Sequence, residues 1–269
     1  MSEQRMPRWL ALVAAAIGFF LLVPTLIVVP LSFSSARFLE FPPPGFSVEW
    51  YENFANSPNW TNAAWNSLKI GLAAAALSTV LGTACALGVQ RANVRAKGVL
   101  NAIVIAPMVV PVVVIAVGTY DVFARWGLAG TFAGLVIGHT VLAMPFVYVT
   151  VGSGLRTFDR SLERAALTLG ASPMSVLWRI TLPLLAPHIA IGALFAFITS
   201  WDEVVVSVFL SSPFLRTLPI EMFNQLETNL DPTIAAVATL LMAVTTMILA
   251  AVAVLRARQS VRRPTGGNP

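Results

Sequence analysis

Residues 162–187 read LERAALTLGASPMSVLWRITLPLLAP. The stretch is polar and broken where its surroundings are not. It carries Glu163, Arg164 and Arg179, a Gly-Ala-Ser-Pro interruption at 170–173 and a Leu-Pro pair at 182–183. Apolar runs long enough to cross a bilayer lie on both sides of it. Leu162, Ala165, Ala166 and Leu169 follow the i, i+3, i+4, i+7 spacing of one helix face. Asp159 or Ser161 is placed to cap that helix near Leu162. Gly170 suits the left-handed residue just past its end, and Ser172-Pro173 reads as the N-cap and first residue of a second helix. The second helix is expected to run to about Thr181 and to end at Leu182-Pro183. Two short helices at a sharp angle result, with Ala165, Ala166 and Gly170 small enough to let another surface approach. On the residues alone, the same hairpin also fits a re-entrant or interfacial connector.

Composition fixes the solvent. Of the 269 residues, 57% are hydrophobic and 11% charged, with mean hydropathy +0.79, whereas a soluble domain carries about 25% charged residues. The chain is therefore all-α and polytopic, because helices satisfy their own backbone hydrogen bonds in lipid. The net charge of +5 does not indicate nucleic acid, since the basic residues sit at the ends of apolar runs. Cys85 is the only cysteine, which excludes an internal disulfide. Six runs qualify as spans, at about 9–33, 66–90, 99–122, 131–151, 188–210 and 233–255. The first is too long for the apolar core of a signal peptide and reads as a retained span. Pro24, Pro30, Pro107, Pro111 and Pro145 mark expected bends.

The loops orient the chain. With both termini cytoplasmic, 13 of the 17 Lys and Arg residues fall inside and 4 (Arg37, Lys69, Arg125, Arg216) outside. That places the 152–187 loop in the cytoplasm. Most acids lean the other way, which either reflects the missing basic bias or gives an outward face that prefers cations. In the external segment 34–65, residues 47–56 suggest a short interfacial helix anchored by Trp50, Tyr51 and Phe54. The tail, about 259–269, has the composition of a disordered segment.

The fifth run contains SWDEVVVSVFLSSP at 200–213. Counted from His188 at the cytoplasmic edge, Asp202 lies roughly 21 Å along a continuous helix. An acid in the outer half of a bilayer costs about 2.5–3.5 kcal/mol, so it faces protein or water. Asp202 and Glu203 are about 100° apart on such a helix, so one can line a cavity while the other pairs elsewhere. Trp201 offers a cation–π face beside them. Tyr120 and Asp121 end the third span and either line the same path or anchor an interface. His139 and His188 are far apart and read as hydrogen-bonding residues rather than metal ligands. No Ser/His/Asp arrangement indicates a hydrolase, and no G-x-x-x-x-G-K-[ST] phosphate loop is present, so the chain is not expected to bind ATP.

The 162–187 stretch resembles the cytoplasmic loop of binding-protein-dependent ABC transporter permeases. Their signature runs Glu-Ala-Ala, three residues, Gly, nine residues, then Ile-x-Leu-Pro. Ala165-Ala166, Gly170, Ile180, Leu182 and Pro183 match it in identity and spacing, while Arg164 occupies the acid's position and Glu163 precedes it. The 201–206 and 231–236 segments, with Leu218-Pro219 between them and FPPPGFSVEWYENF at 41–54, are similar to the spermidine/putrescine-type subfamily. The resemblance covers essentially the whole chain. It implies a type I ABC importer permease fold over residues 1–269, with 152–187 as the coupling loop. It further implies a bacterial inner-membrane location, a second permease subunit, most simply as a heterodimer, two ATPase subunits holding ATP and Mg, and a periplasmic binding protein. A small cationic solute such as putrescine or spermidine is the implied cargo, with Asp202, Glu203, Trp201, Tyr120 and Asp121 on its path. The alternatives are an importer for another solute, a stand-alone secondary transporter or channel, and a membrane scaffold without transport.

Overall fold

The computed structural model describes residues 8–91, 96–228 and 231–261, with side chains from residue 9 to residue 250. Among these, the elements are helical, with only isolated bridges at Ser34–Phe46 and Ser212–Leu215. Five helices are long and apolar enough to cross a membrane, or six if one bent pair counts as a span. The described residues form two compact units, one drawn from residues 8–61 and 222–261 and the other from residues 62–221.

In the first unit, α1 (Arg8–Ser32) packs on α12 (Thr233–Val261). Pro24 and Pro30 lie within α1 without ending it. Helix α2 (Glu49–Asn56) lies in the segment expected to be interfacial. Its aromatic residues are tied into the unit: Trp50 is buried and donates Nε1–H to the Ser34 carbonyl at 2.7 Å. The Tyr51 hydroxyl meets Ser32 Oγ at 2.7 Å, and Asn53 donates to Thr233 Oγ1 at 2.8 Å. An indole that has a backbone partner within the chain does not need the bilayer interface. The expected tail falls partly on α12, which continues to Val261; residues 262–269 lie outside the described residues.

The second unit is built on α6 (Phe132–Thr157), which packs along α9 (Leu182–Trp201). The long helix α3 (Pro58–Arg91) contributes Ala75, Ala86 and Val89 to their shared core. Glycines set the closeness of approach. A Cβ on Gly82 of α3 would lie 2.7 Å from Val147 Cβ and 3.0 Å from the Met144 carbonyl, and one on Gly192 of α9 would lie 2.9 Å from Val147 Cα. Val147 of α6 is thus clamped between two glycines on different helices, the close packing that membrane helices use in place of a hydrophobic driving force.

Two expected spans are corrected. The run 99–122 is not one helix but α4 (Lys97–Val109) and α5 (Val112–Arg125), bent by 103°. Pro111 has no N–H and forces Val110 into an extended conformation, with ψ of 133°. The run 188–210 is also displaced. Its helix begins at Pro173, as α8 (Pro173–Val176) followed by a π turn (Leu177–Thr181) and α9, and it ends at Trp201. A separate short helix, α10 (Val205–Leu210), follows and packs on α5 and α6. The chain from α10 to α11 (Leu218–Thr228) is fastened to α3 by Asn66 donating to the Arg216 carbonyl at 3.1 Å and by Ser67 Oγ accepting from Leu218 N–H at 2.7 Å.

Replacing Gly82 with valine should lower stability by about 1–3 kcal/mol, the usual range for overpacking a filled core. The thermal unfolding midpoint of the detergent-purified chain should fall accordingly, while Gly88→Val on the same helix, where a Cβ would meet nothing within 4 Å, should leave it nearly unchanged.

Candidate functional site

The loop between α6 and α9 folds much as its residue types require. Helix α7 spans Ser161–Thr168. Asp159 caps its start, with Oδ1 accepting from Ser161 N–H at 2.8 Å and Oδ2 from the Ser161 hydroxyl at 2.7 Å. These hydrogen bonds hold the Asp159 carboxyl below its ordinary pKa. The stabilisation they give α7 is therefore present above the ordinary carboxylate range and lost as pH falls through the lowered folded value. Gly170 has φ of +87°, with its N–H on the Leu167 carbonyl and the Ala171 N–H on the Ala166 carbonyl, both at 3.0 Å. This paired pattern is the Schellman motif, and the left-handed residue in it favours glycine. Ser172 Oγ then accepts from Ser175 N–H at 3.2 Å, with Pro173 as the first residue of α8.

The expected stop at Leu182-Pro183 does not occur. The chain passes from α8 into α9 through the π turn, in which Leu182 N–H bonds to the Leu177 carbonyl. The wider i→i+5 register lets the helix continue into Pro183, which cannot donate. Ile180 lies in this turn and Thr181 is fully buried in it. Glu163 turns inward, forming an ion pair with Arg91 at the end of α3 and accepting from Thr181 Oγ1 at 2.5 Å. Arg164 and Ala165 are exposed, and Ala166 is half-buried.

The acidic pair occupies a break rather than the wall of a continuous helix. Asp202 is the residue that ends α9, and Glu203 precedes α10. Glu203 Oε1 accepts from Val206 N–H at 2.7 Å, satisfying a free donor of the first α10 turn. Asp202 is exposed and makes no ion pair or side-chain hydrogen bond among the described residues. It stands at the negative end of the α9 dipole, where an anion is disfavoured by about 0.3–1 kcal/mol. The two neighbours therefore differ because they cap opposite helix ends, not because a helix turns them 100° apart. Trp201 is buried, stacked with Phe197 at a centroid distance of 5.6 Å, and its Nε1 has no partner among the described residues. Tyr120 lies against Phe209 of α10 at 6.4 Å, and Asp121 pairs with Arg125 at 2.9 Å on an exposed face.

His139 ties this break to α6, a role its sequence context did not suggest. Its Nδ1 lies 2.7 Å from Ser200 Oγ on α9 and its Nε2 lies 2.9 Å from Ser207 Oγ on α10, all three being buried. One imidazole thus holds both sides of the break. The available signal was Ser200 two residues before Asp202 and Ser207 four residues after Glu203, with one histidine in the preceding span. His188 has a buried Nδ1 without a partner among the described residues and packs where a Cβ on Gly154 would meet its ring at 2.6 Å.

Glu203→Leu removes the acceptor for Val206 N–H and should cost about 1 kcal/mol. Glu203→Gln keeps an acceptor oxygen and should lose less. Hydrogen exchange at the Val206 amide should accelerate in the leucine variant and change little in the glutamine variant.

Comparison with known proteins bears on both ends of this arrangement. The family model described as "Binding-protein-dependent transport system inner membrane component" matches residues 78–261, which contain the loop and the break. The spermidine/putrescine transport system permease protein PotC of Escherichia coli (strain K12) is 32% identical over 254 residues, 94% of each chain. The putrescine transport system permease protein PotI of the same organism is 32% identical over 239 residues, 86% of this chain and 85% of that one. A chain in the crystal structure of a bacterial alginate ABC transporter, in complex with an alginate pentasaccharide-bound periplasmic protein, shares the fold. It has a TM-score of 0.68 at 17% identity, covering 97% of this chain and 96% of that one. The chain belongs to the inner-membrane components of binding-protein-dependent transport systems and is a multi-pass permease subunit of an ABC importer.

Proposed function

We propose that this permease subunit translocates a polyamine such as putrescine or spermidine, and that Asp202 meets an ammonium group of the cargo. The observation that carries this reading is the Asp202 carboxylate itself: exposed, without a partner of its own among the described residues, and held at the helix end that disfavours it. A cationic ligand removes that penalty and forms a charge-assisted hydrogen bond. The polyamine cargo named for two relatives supports the same chemistry. Trp201 and Tyr120 flank the path, Asp121 lies at its edge, and Glu203 shapes the break through Val206.

On this reading residues 1–269 act as one permease domain in the bacterial inner membrane, with both termini and the 152–187 loop cytoplasmic. The excess of Lys and Arg on the loops assigned to the inside supports the orientation. A second permease subunit, most simply a different chain, completes the pathway. Two cytoplasmic ATPase subunits bind ATP and Mg, and a periplasmic protein delivers the solute. This chain carries no catalytic residue and no cofactor of its own. Its part in energy coupling is the loop of Ala165, Ala166, Gly170, Ile180, Leu182 and Pro183, which docks on an ATPase subunit, so that closure of the ATPase pair moves the membrane helices between two states.

Reconstituted in liposomes with its partner subunits and binding protein, the complex should take up radiolabelled putrescine or spermidine only with ATP. Asp202→Asn should reduce that uptake by about 10–100-fold, the equivalent of about 1.5–3 kcal/mol for a hydrogen bond to a charged group, with subunit assembly intact. Assembly falling in parallel with uptake would make Asp202 a structural residue instead. Binding-protein-stimulated ATP hydrolysis without polyamine uptake would keep the permease and discard the polyamine.

Gly170→Val forces a branched side chain into a left-handed conformation. It should uncouple ATP hydrolysis from uptake, measured as ATP consumed per solute imported; an unchanged ratio would show that the loop does not need this turn.

A further inference from the structure

The coupling loop displays four arginines, and both of its acids are bonded within the chain, Glu163 turned inward and Asp159 on the exposed surface. Asp159 is bonded to Ser161, and Glu163 is bonded to Arg91 and Thr181. Arg156, Arg160, Arg164 and Arg179 are all exposed. Arg160 reaches the Gln90 carbonyl at 3.4 Å. Arg164 attracts Asp159 through space but forms no ion pair among the described residues. On the same short helix Leu162 and Leu167 are 47% and 45% exposed, and Leu169 at its end is 88% exposed. Arg164 and Leu167 are three residues apart and so share a face. In the family signature this position is an acid, and the preceding acid does not replace it outwardly, because Glu163 points into the chain.

We propose that α7 docks against an acidic site: a carboxylate of the ATPase subunit pairs with Arg164, and Leu167 and Leu169 enter an apolar recess beside it. Glu163 serves as the internal bolt that holds α7 on Arg91 and Thr181 so that Arg164 faces out. The inference rests on the ATPase partnership proposed above and adds the polarity of the contact. A protein partner fits better than the anionic surface of the membrane. The helix has only 8 residues, and the Gly170 turn, the Ser172 cap and the Glu163 ion pair fix its shape in advance. Such preorganisation favours binding one defined surface, whereas a helix that lies in lipid relies on an extended apolar face.

The test is zero-length cross-linking of the assembled full-length complex. The chain has only Lys69 and Lys97 as native lysines, so background is low. With a carbodiimide, which joins an amine to a carboxylate in direct contact, the Arg164→Lys variant should give an amide between position 164 and an Asp or Glu of the ATPase subunit, identified by mass spectrometry. Arg164→Gln should give none at that position. Arg164→Glu should lower ATP-driven uptake at least tenfold while Arg164→Lys retains most of it. An assembled, active Arg164→Lys complex without that adduct would overturn the proposal. So would a loop whose attachment depends on phosphatidylglycerol in the vesicles and not on the ATPase subunit. Failure of any ATPase subunit to assemble with the wild-type chain would instead reject the proposed partnership, and this inference with it.

Discussion

In a membrane-embedded chain the backbone has little water to bond with, so each interruption of a helix needs an internal remedy. Three interruptions shape the second unit. At Val110-Pro111 the remedy is a sharp bend that gives each half its own hydrogen-bond ladder, Val110 N–H closing on Ala106 and Val114 N–H opening on Pro111. At 177–181 it is a change of register, the π turn carrying the helix past Pro183. At 202–204 it is side-chain capping, in which Glu203 takes the Val206 N–H and His139 holds Ser200 and Ser207 on either side. The residues proposed for coupling and for the cargo path adjoin the second and third of these, where the backbone departs from a plain helix.

Helix ends also separate two acids that the chain places side by side. Glu203 sits at the start of α10, where N–H groups are free and the dipole favours an anion. Asp202 sits at the end of α9, where carbonyls are free and the dipole opposes it. The break at 202–204 therefore makes one carboxylate a structural acceptor and leaves the other available. A continuous helix would have given both the same environment apart from direction.

Much of this was legible in the residues. Four of the six apolar runs coincide with single long helices, and the Gly170 turn and the Ser172-Pro173 start are both where their residue types require them. These features depend on local stereochemistry, which sequence carries directly. Four others were not legible. Leu182-Pro183 looks like a helix stop because proline cannot donate, but the π turn at 177–181 shifts the register so that the helix runs through it. The end of α9 at Trp201 has no glycine or proline to announce it. The inward turn of Glu163 depends on Arg91, a residue 72 positions away on another helix. His139 was hidden for the same reason, since its partners lie on α9 and α10.

The loop and the available carboxylate are joined by one element. Pro173–Trp201 is an uninterrupted helical rod of 29 residues, π turn included, and at 1.5 Å per residue it is roughly 43 Å long. Its first turns adjoin Glu163 through Thr181, and its last residue precedes Asp202. Between them, Gly192 is pressed onto Val147 so closely that the rod cannot slide along α6 without opening that contact. Tilting about this tight point is the cheaper motion, because packed helices move as rigid bodies more readily than they repack. On the proposed reading, a force applied at the coupling loop therefore reaches the cargo acid as a swing about Gly192, at an end of the rod that the His139 clasp ties to both α6 and α10.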